Sequence, residues 1–277
     1  MKRLSTRAAK TVRLVLFLCA WAAFVWMAWR VFAANDKERL WEACLVCVGS
    51  LVLIVLRIPE VVHEAGHLLF GVCAGLRLEE VRIGWLSFGR GIRLAFGRAQ
   101  AGETRFTLKS ERGARAAFFL AALGGPFFSI AAGVALLVPW LVFDLRVALT
   151  LFALLAPFCL EEGIAELLPA ELPTGKTDGL VLCELASRTG ETEVGIRVMT
   201  AQLLLARDPL AELPRDLLFG APVVREDSPA FTELLRLQRQ YLLSRGDRTG
   251  AEEIGARLAA IASEQGAGEK SDSVTTE

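Results

Sequence analysis

The apolar run from Leu14 to Ala34 limits the folds open to this chain more than any other pattern. Arg30 is its one charged residue, and a helix of this length, rising about 1.5 Å per residue, covers the roughly 30 Å hydrocarbon layer of a bilayer. A cleaved signal peptide is the competing interpretation, but the run is long for one and its small-residue cleavage site is weak. The run therefore predicts a membrane-spanning helix.

The composition agrees with a membrane protein. Hydrophobic residues make up 53% of the 277 residues, and the mean hydropathy is +0.44. An average soluble domain is about 45–50% apolar even when glycine is counted. The 31 Lys and Arg balance the 31 Asp and Glu, and a net charge of zero favours no nucleic-acid partner. The expected partner is the lipid bilayer.

Three further apolar segments follow, at about 43–74, 114–143 and 145–163. The first of these carries His and Glu side chains, and ionisable residues at membrane depth usually face a protein interior or a water-filled cavity. In the last, only the 14 residues from Val147 to Leu160 are uncharged, which is too short to span simply and predicts a helix broken inside the protein. The expected fold class is mainly α: a polytopic helical membrane protein with about four spans.

The loop at 77–109 is rich in arginine and alternates apolar with polar residues, with Gly89 and Gly91 as turn signals. This pattern predicts a small β-hairpin insertion. The N-terminal segment is also basic, so the positive-inside rule places both on the cytoplasmic side. Four spans then bring both ends of the chain to the cytoplasm.

The predicted organisation has four parts. An N-terminal transmembrane anchor (1–34) precedes a membrane core (35–187), and a cytoplasmic helical domain (188–265) precedes a disordered tail (266–277). Leucines recur at helical spacing in the third part, as in Phe231–Ser244, which predicts helical hairpins. We expect this domain to restrict access to the core or to recruit a cytoplasmic regulatory partner.

The sequence His63-Glu64-Ala65-Gly66-His67 is an H-E-x-x-H motif, and its two histidines are the only two in the chain. Residues four apart share one helical face, so both imidazoles can bind one metal ion. Glu64 then lies beside the open coordination position as a general base. The competing interpretation is a buried histidine pair that only satisfies hydrogen bonds.

A catalytic zinc site needs three protein ligands, and without a third histidine the last must be Asp, Glu or Cys. Asp178 is the candidate, because it follows a stretch that Pro169 and Pro173 prevent from being helical. Taken alone, Asp178-Gly179 is equally a turn signal. Alternative ligands are Glu161, Glu162 and Glu171.

The order of these elements resembles the site-2 protease family of intramembrane zinc metalloproteases. The resemblance covers roughly residues 43–187 and includes H-E-A-G-H, a β-rich loop, Gly124-Gly125-Pro126 and Leu-Leu-Pro…Asp-Gly. It implies that His63, His67 and Asp178 bind Zn²⁺ and that Glu64 activates water. It further implies a metalloendopeptidase that cleaves single-span membrane proteins near the cytoplasmic leaflet.

One position departs from the family pattern, because Glu166 stands where the family has an Asn that helps to hold the extended substrate. A carboxylate accepts the same hydrogen bonds but cannot donate. Gly124, Gly125 and Pro126 either receive the substrate or serve close helix packing. The β-rich loop either pairs its edge with the substrate or is held on anionic lipid by its arginines.

Two other functions are compatible with the motif. A catalytically inactive scaffold would keep the site-2-protease-like fold without proteolysis, and Glu166 would be its mark. A zinc or proton transporter would use the intramembrane His and Glu. Transport calls for polar groups along several spans, whereas here they cluster near one end of two, so transport is disfavoured.

Overall fold

The computed structural model describes residues 4–34, 39–84, 86–89, 92–94, 102–110, 113–143, 147–173, 175–207, 213–222, 224–225 and 228–272. The chain forms two compact units, the first of Met1–Thr107 with Ala116–Cys183 and the second of Leu108–Arg115 with Glu184–Glu277. The described residues are mainly helical, with a small antiparallel sheet. This confirms the predicted mainly α class and its β insertion.

The first unit is built from helices that surround the H-E-x-x-H motif. They are α1 (Thr6–Ala34), α2 (Leu40–Val55), α3 (Ile58–Cys73), α4 (Ala114–Val142), α5 (Val147–Ala153), α6 (Ala156–Glu166) and α7 (Asp178–Ser187). The ends of α4 and α7 extend into the second unit. The motif lies in α3, as the sequence predicts for a helix carrying both histidines on one face.

Two helices, α1 and α4, are long and apolar enough to cross a membrane. The pair α2 and α3 qualifies together but bends by 52°, because Arg57 adopts a left-handed backbone (φ 60°) and Pro59 opens α3. No other described helix or pair meets these criteria. The predicted last span is divided into α5 and α6, with Pro157 in the first turn of α6, so four spans remain a prediction.

Helix α1 packs against α6 within the first unit. The ring centroids of Trp21 and Phe24 lie 5.1 and 5.9 Å, respectively, from the ring centroid of Phe158 on α6. The Leu4 amide also donates to the Pro169 carbonyl at 3.0 Å. The segment predicted as a separate anchor is therefore part of the same compact unit as the helices that follow it.

Helices α3 and α4 approach each other through glycines. A side chain on Gly66 would meet the Gly124 carbonyl, and one on Gly124 would meet the Gly66 carbonyl in turn. Only glycine permits backbones to come this close, as in the small-residue contacts of membrane helices. This contact places the face of α3 that carries the motif directly against α4.

The sheet has four strands in the order β3-β2-β1-β4, all antiparallel. They are β1 (Arg77–Ile83), β2 (Leu86–Phe88), β3 (Ile92–Leu94) and β4 (Glu103–Thr107). The central strand β1 pairs Val81 with Phe88 on one side and with Thr104 on the other. A side chain on Gly71 of α3 would strike the Phe106 ring, so β4 packs closely on that helix. Of the two predicted turn residues, Gly89 follows β2 and Gly91 lies outside the described residues.

A two-stranded hairpin of β5 (Glu171–Leu172) and β6 (Gly175–Lys176) connects α6 to α7. The second unit contains α8 (Gly190–Arg207), α9 (Arg215–Phe219), α10 (Pro229–Ser244) and α11 (Arg248–Asp272). Its core includes Val194, Leu218 and Leu234, all fully buried. These helices agree with the hairpins expected from the leucine spacing.

The last helix differs from the sequence expectation. Helix α11 continues to Asp272, past Gly266 where the disordered tail was expected to begin. Residues 264–272 include Ala, Glu, Gln and Lys, which are good helix formers, and extending an existing helix costs far less than starting one. The last five residues of the predicted tail lie outside the described residues.

The contact between α3 and α4 predicts that Gly66→Ala is strongly destabilising. The new methyl group meets backbone atoms, which cannot move aside as a side chain can. We therefore expect the free energy of unfolding to fall by about 1–3 kcal/mol. Thermal unfolding of the full chain in detergent, followed by circular dichroism, measures it. Gly195→Ala in α8 is the matched control, because open space surrounds that position. Equal melting temperatures for both variants would contradict the close approach.

Candidate metal centre

The two histidines of the motif lie side by side on the buried face of α3. His63 is 3% exposed and His67 is 9% exposed. Their Nε2 atoms are 3.1 Å apart, and the ring planes are nearly perpendicular. One helical turn therefore brings both imidazoles to a single point inside the protein.

Helix α4 fixes the orientation of both rings. His67 Nδ1 lies 2.7 Å from the Ala121 carbonyl oxygen, and His63 Nδ1 lies 3.1 Å from the Ser129 hydroxyl. A carbonyl only accepts, so neutral His67 carries its proton on Nδ1 and its lone pair on Nε2. Metal-binding histidines use the same arrangement, in which the second nitrogen is held by a carbonyl, carboxylate or water.

Asp178 reaches the histidines because Thr177 ties the start of α7 to the chain that follows α6. The buried Thr177 hydroxyl donates to the Leu168 carbonyl and accepts from the Ala170 amide at 3.1 Å. A side chain on Gly179 would strike the Leu167 carbonyl, so glycine allows α7 to begin against the end of α6. The Asp178-Gly179 pair therefore opens a helix and forms no isolated turn.

The three candidate ligands converge on one point. Asp178 Oδ2 lies 3.0 Å from His63 Nε2 and 3.2 Å from His67 Nε2. Bonds of about 2.0–2.2 Å in a tetrahedral zinc site separate neighbouring ligand atoms by roughly 3.3–3.6 Å. The observed separations are a few tenths of an ångström shorter, so the two histidine nitrogens and the carboxylate oxygen can surround a metal ion after a small outward movement.

The electrostatics of this triangle call for a cation. With the His67 proton on Nδ1, and with His63 in the same tautomer, three lone-pair atoms face one another within 3.2 Å. Such a group is repulsive unless a proton or a metal ion lies among the three atoms. The buried group of His63, His67 and Asp178 can hold a metal ion.

The glycines and proline predicted to receive substrate have internal contacts. Gly125 lies beneath the imidazoles, since a side chain there would meet Nε2 of both His63 and His67. Gly124 contacts Gly66, and Pro126 is fully buried. These contacts explain the Gly-Gly-Pro sequence by packing, and a role in binding substrate stays a prediction.

Glu166 forms an ion pair with α1. Arg13 Nη2 lies 2.5 Å from Glu166 Oε1, and the two side chains are 27% and 18% exposed. Because the guanidinium balances the carboxylate charge, Glu166 does not add a bare negative charge near Asp178. Glu166 and the three alternative carboxylates Glu161, Glu162 and Glu171 lie outside the ligand group found among the described residues.

Glu64 is held by the sheet. Its carboxylate is 4% exposed, and Oε2 accepts a hydrogen bond from the Thr104 hydroxyl of β4. A side chain on Gly102, just before β4, would meet Glu64 Oε1. The general base predicted from the motif is thus buried beside its two histidines, and the β-rich loop predicted at 77–109 contacts it.

Sequence reasoning missed several residues that shape this site. Ser129 is a polar residue within an apolar helix, and that alone could have marked it. Thr104, Thr177 and Arg13 carried no such signal, because each meets its partner only through the tertiary fold. The Ala121 contribution is a backbone carbonyl, which the identity of a residue does not reveal.

Comparisons with protein-family models, with curated proteins and with solved structures found no match to this chain. Identification of the site therefore depends on its own geometry and chemistry.

The ligand triangle predicts about one bound metal ion per chain, which we expect to be zinc, and its loss in His67→Ala and in Asp178→Ala. Each variant removes one of three ligands, and two remaining ligands do not hold a zinc ion tightly. Elemental analysis of detergent-purified protein measures the metal, with circular dichroism to show that each variant is folded. Glu171→Ala is the control that should keep its zinc. Zinc retained by Asp178→Ala would show that another residue is the third ligand.

Ser129→Ala should weaken zinc binding without abolishing it. Loss of the hydroxyl that orients His63 costs about 10–100-fold in affinity at comparable sites, and competition with a chromogenic chelator measures it. Ser50→Ala is the matched control, because Ser50 is a fully buried serine that bonds to the Val46 and Leu151 carbonyls instead. Equal affinities in both variants would show that Ser129 does not orient the ligand.

Proposed function

We propose that this chain is an intramembrane zinc metalloprotease. In this proposal His63, His67 and Asp178 bind Zn²⁺, and Glu64 is the general base for hydrolysis of a peptide bond. The substrates are single-span or membrane-tethered proteins, cleaved near the cytoplasmic leaflet. The chain itself crosses the membrane about four times, with both ends in the cytoplasm.

One observation carries this proposal: three metal-binding atoms converge next to a buried carboxylate within apolar helices. The ligand atoms lie 3.0–3.2 Å apart, and Glu64 directly follows His63 in the motif. A purely structural zinc site is closed by four protein ligands, whereas a catalytic site has three and leaves one position open. Three candidate ligands among the described residues, beside a buried base, therefore favour catalysis over a structural role.

The chemistry divides between the metal and the chain. When bound, a zinc ion lowers the pKa of a water molecule to about 7 and polarises the scissile carbonyl. Glu64 takes one proton from the attacking water as the new carbon–oxygen bond forms. It then delivers that proton to the departing amide nitrogen as the carbon–nitrogen bond breaks. Asp178 and the two histidines supply the fixed geometry for both steps.

The substrate must be unwound before it is cut. A peptide bond within a transmembrane helix is hydrogen-bonded and shielded, and freed backbone groups are tolerated only where they line a polar cavity. The polar groups of this site lie on α3 and at the start of α7, next to the sheet that contacts Glu64. In this proposal, the second unit restricts access or recruits a regulatory partner.

The decisive variant is Glu64→Gln. The amide keeps the size of the side chain but cannot take a proton, so we expect cleavage to fall by about 10²–10⁴-fold while zinc content stays near one per chain. The assay reconstitutes the full chain in phospholipid vesicles with a set of single-span reporters, each carrying a fluorescent protein on its cytoplasmic side. New amino termini detected by mass spectrometry locate the cut.

Glu79→Gln is the control, because Glu79 is an exposed carboxylate on β1. This variant should cleave the reporter like the parent. A zinc chelator should stop cleavage, and added Zn²⁺ should restore it. A folded, zinc-loaded parent that cleaves no reporter would contradict the protease and favour the inactive scaffold. Equal cleavage by parent and Glu64→Gln would exclude Glu64 as the base.

A further inference from the structure

The segment around strand β4 contacts both carboxylate oxygens of Glu64. The Thr104 hydroxyl donates to Glu64 Oε2, and the space over Oε1 is left open by the missing side chain of Gly102. A methyl group on Gly102 would meet Oε1 of Glu64 and would lie 3.0 Å from Oε1 of Glu60. The two oxygens of Glu64 therefore have different surroundings, both set by one segment.

Strand β4 is itself held in place from two sides. It pairs with β1 through Thr104 and Val81, and its Phe106 ring packs against Gly71 on α3. Thr104 and Phe106 are two residues apart in a strand, so they project from the same face. Glu64 and Gly71 are seven residues apart in α3, so they share a face of that helix. The hydroxyl is consequently delivered to Glu64 by a strand that is docked along the helix.

We propose that Thr104 is a positioning residue for the general base. This role rests on the proposed function, since Glu64 must act as a base for its position to matter. A carboxylate turns readily about its last bond, because that torsion is broad. The Thr104 hydrogen bond on Oε2 sets the plane of the carboxylate, and Oε1 is left as the oxygen that accepts the proton.

Catalytic groups must be held within roughly 0.5 Å and 10–20° of productive geometry, and a base must lie within hydrogen-bond reach of the proton it takes. Glu64 lies in α3, and no hydrogen bond to its carboxylate other than that from Thr104 is found among the described residues. Thr104 therefore supplies the restraint that the helix cannot supply by itself.

The test compares Thr104→Val, which removes the donor at nearly constant size, with Thr104→Ser, which keeps it. The full chain is loaded with zinc and reconstituted in phospholipid vesicles with a single-span reporter that the parent cleaves and Glu64→Gln does not. We expect kcat of Thr104→Val to fall about 10-fold or more, with KM within about twofold. Thr104→Ser should keep kcat within about threefold of the parent.

Thr107→Val is the matched control on the same strand. The Thr107 hydroxyl donates to the Arg77 carbonyl at 3.4 Å, away from Glu64, so this variant should cleave like the parent. Gly102→Ala gives an independent route to the same result, since its methyl group displaces Oε1 and leaves the Thr104 hydroxyl intact. We expect kcat of Gly102→Ala to fall by a similar factor, with zinc content unchanged.

Unchanged kcat in a folded, zinc-loaded Thr104→Val would overturn the positioning role without contradicting the proposed protease function. Equal losses in Thr104→Val and Thr104→Ser would also overturn it, because the donor would then not be what matters. Should Thr104→Val fail to fold, parental kcat in Gly102→Ala would overturn the role in its place. A parent without Glu64-dependent cleavage removes both the proposed function and this role.

Discussion

The packing of the first unit depends on one constraint, which is that three polar atoms from α3 and α7 must meet inside the protein. His63 Nε2, His67 Nε2 and Asp178 Oδ2 meet within 3.2 Å in a buried place, where such a group is costly unless a proton or a metal ion lies among the three atoms. The surrounding packing serves to hold them there. Glycines bring α4 within reach of α3, and α4 then orients both rings through a carbonyl and a hydroxyl.

Much of the site could be predicted from local sequence, because His63, Glu64 and His67 lie within five consecutive residues. Residues four apart share a helical face, so the H-E-x-x-H spacing alone predicts that His63 and His67 meet. Asp178 is different, since it lies 111 positions after His67 in the sequence. The two prolines before Asp178 showed where α6 must end, but the Thr177 hydrogen bonds and the Gly179 contact that bring it back exist only in the folded chain.

The fold was predictable to a similar degree. Apolar length predicted the long helices α1 and α4, and alternation predicted a sheet between α3 and α4. Two features lay beyond such patterns. The left-handed backbone at Arg57 that bends α2 against α3 is uncommon for a residue other than glycine. The contact of β4 with Glu64 joins two elements that were each foreseen, but their docking depends on the Phe106 ring, which no periodicity describes.

The glycines also make the site sensitive in a particular way. A core filled by side chains relaxes after a small change, because side chains adopt other rotamers. At Gly66, Gly124 and Gly179 the opposing group is backbone, which cannot relax in this manner. A small change at any of these three positions therefore displaces the backbone that carries or orients the candidate ligands.

The ion pair between Arg13 and Glu166 gives the first helix a significance beyond membrane attachment. A carboxylate that loses its paired guanidinium in a largely buried place costs several kcal/mol or takes up a proton. A chain shortened at its amino end, or one in which another membrane helix replaced α1, would carry that cost close to Asp178. The amino-terminal helix thus belongs to the electrostatic environment of the candidate metal centre, and exchanging it is a change to the site itself.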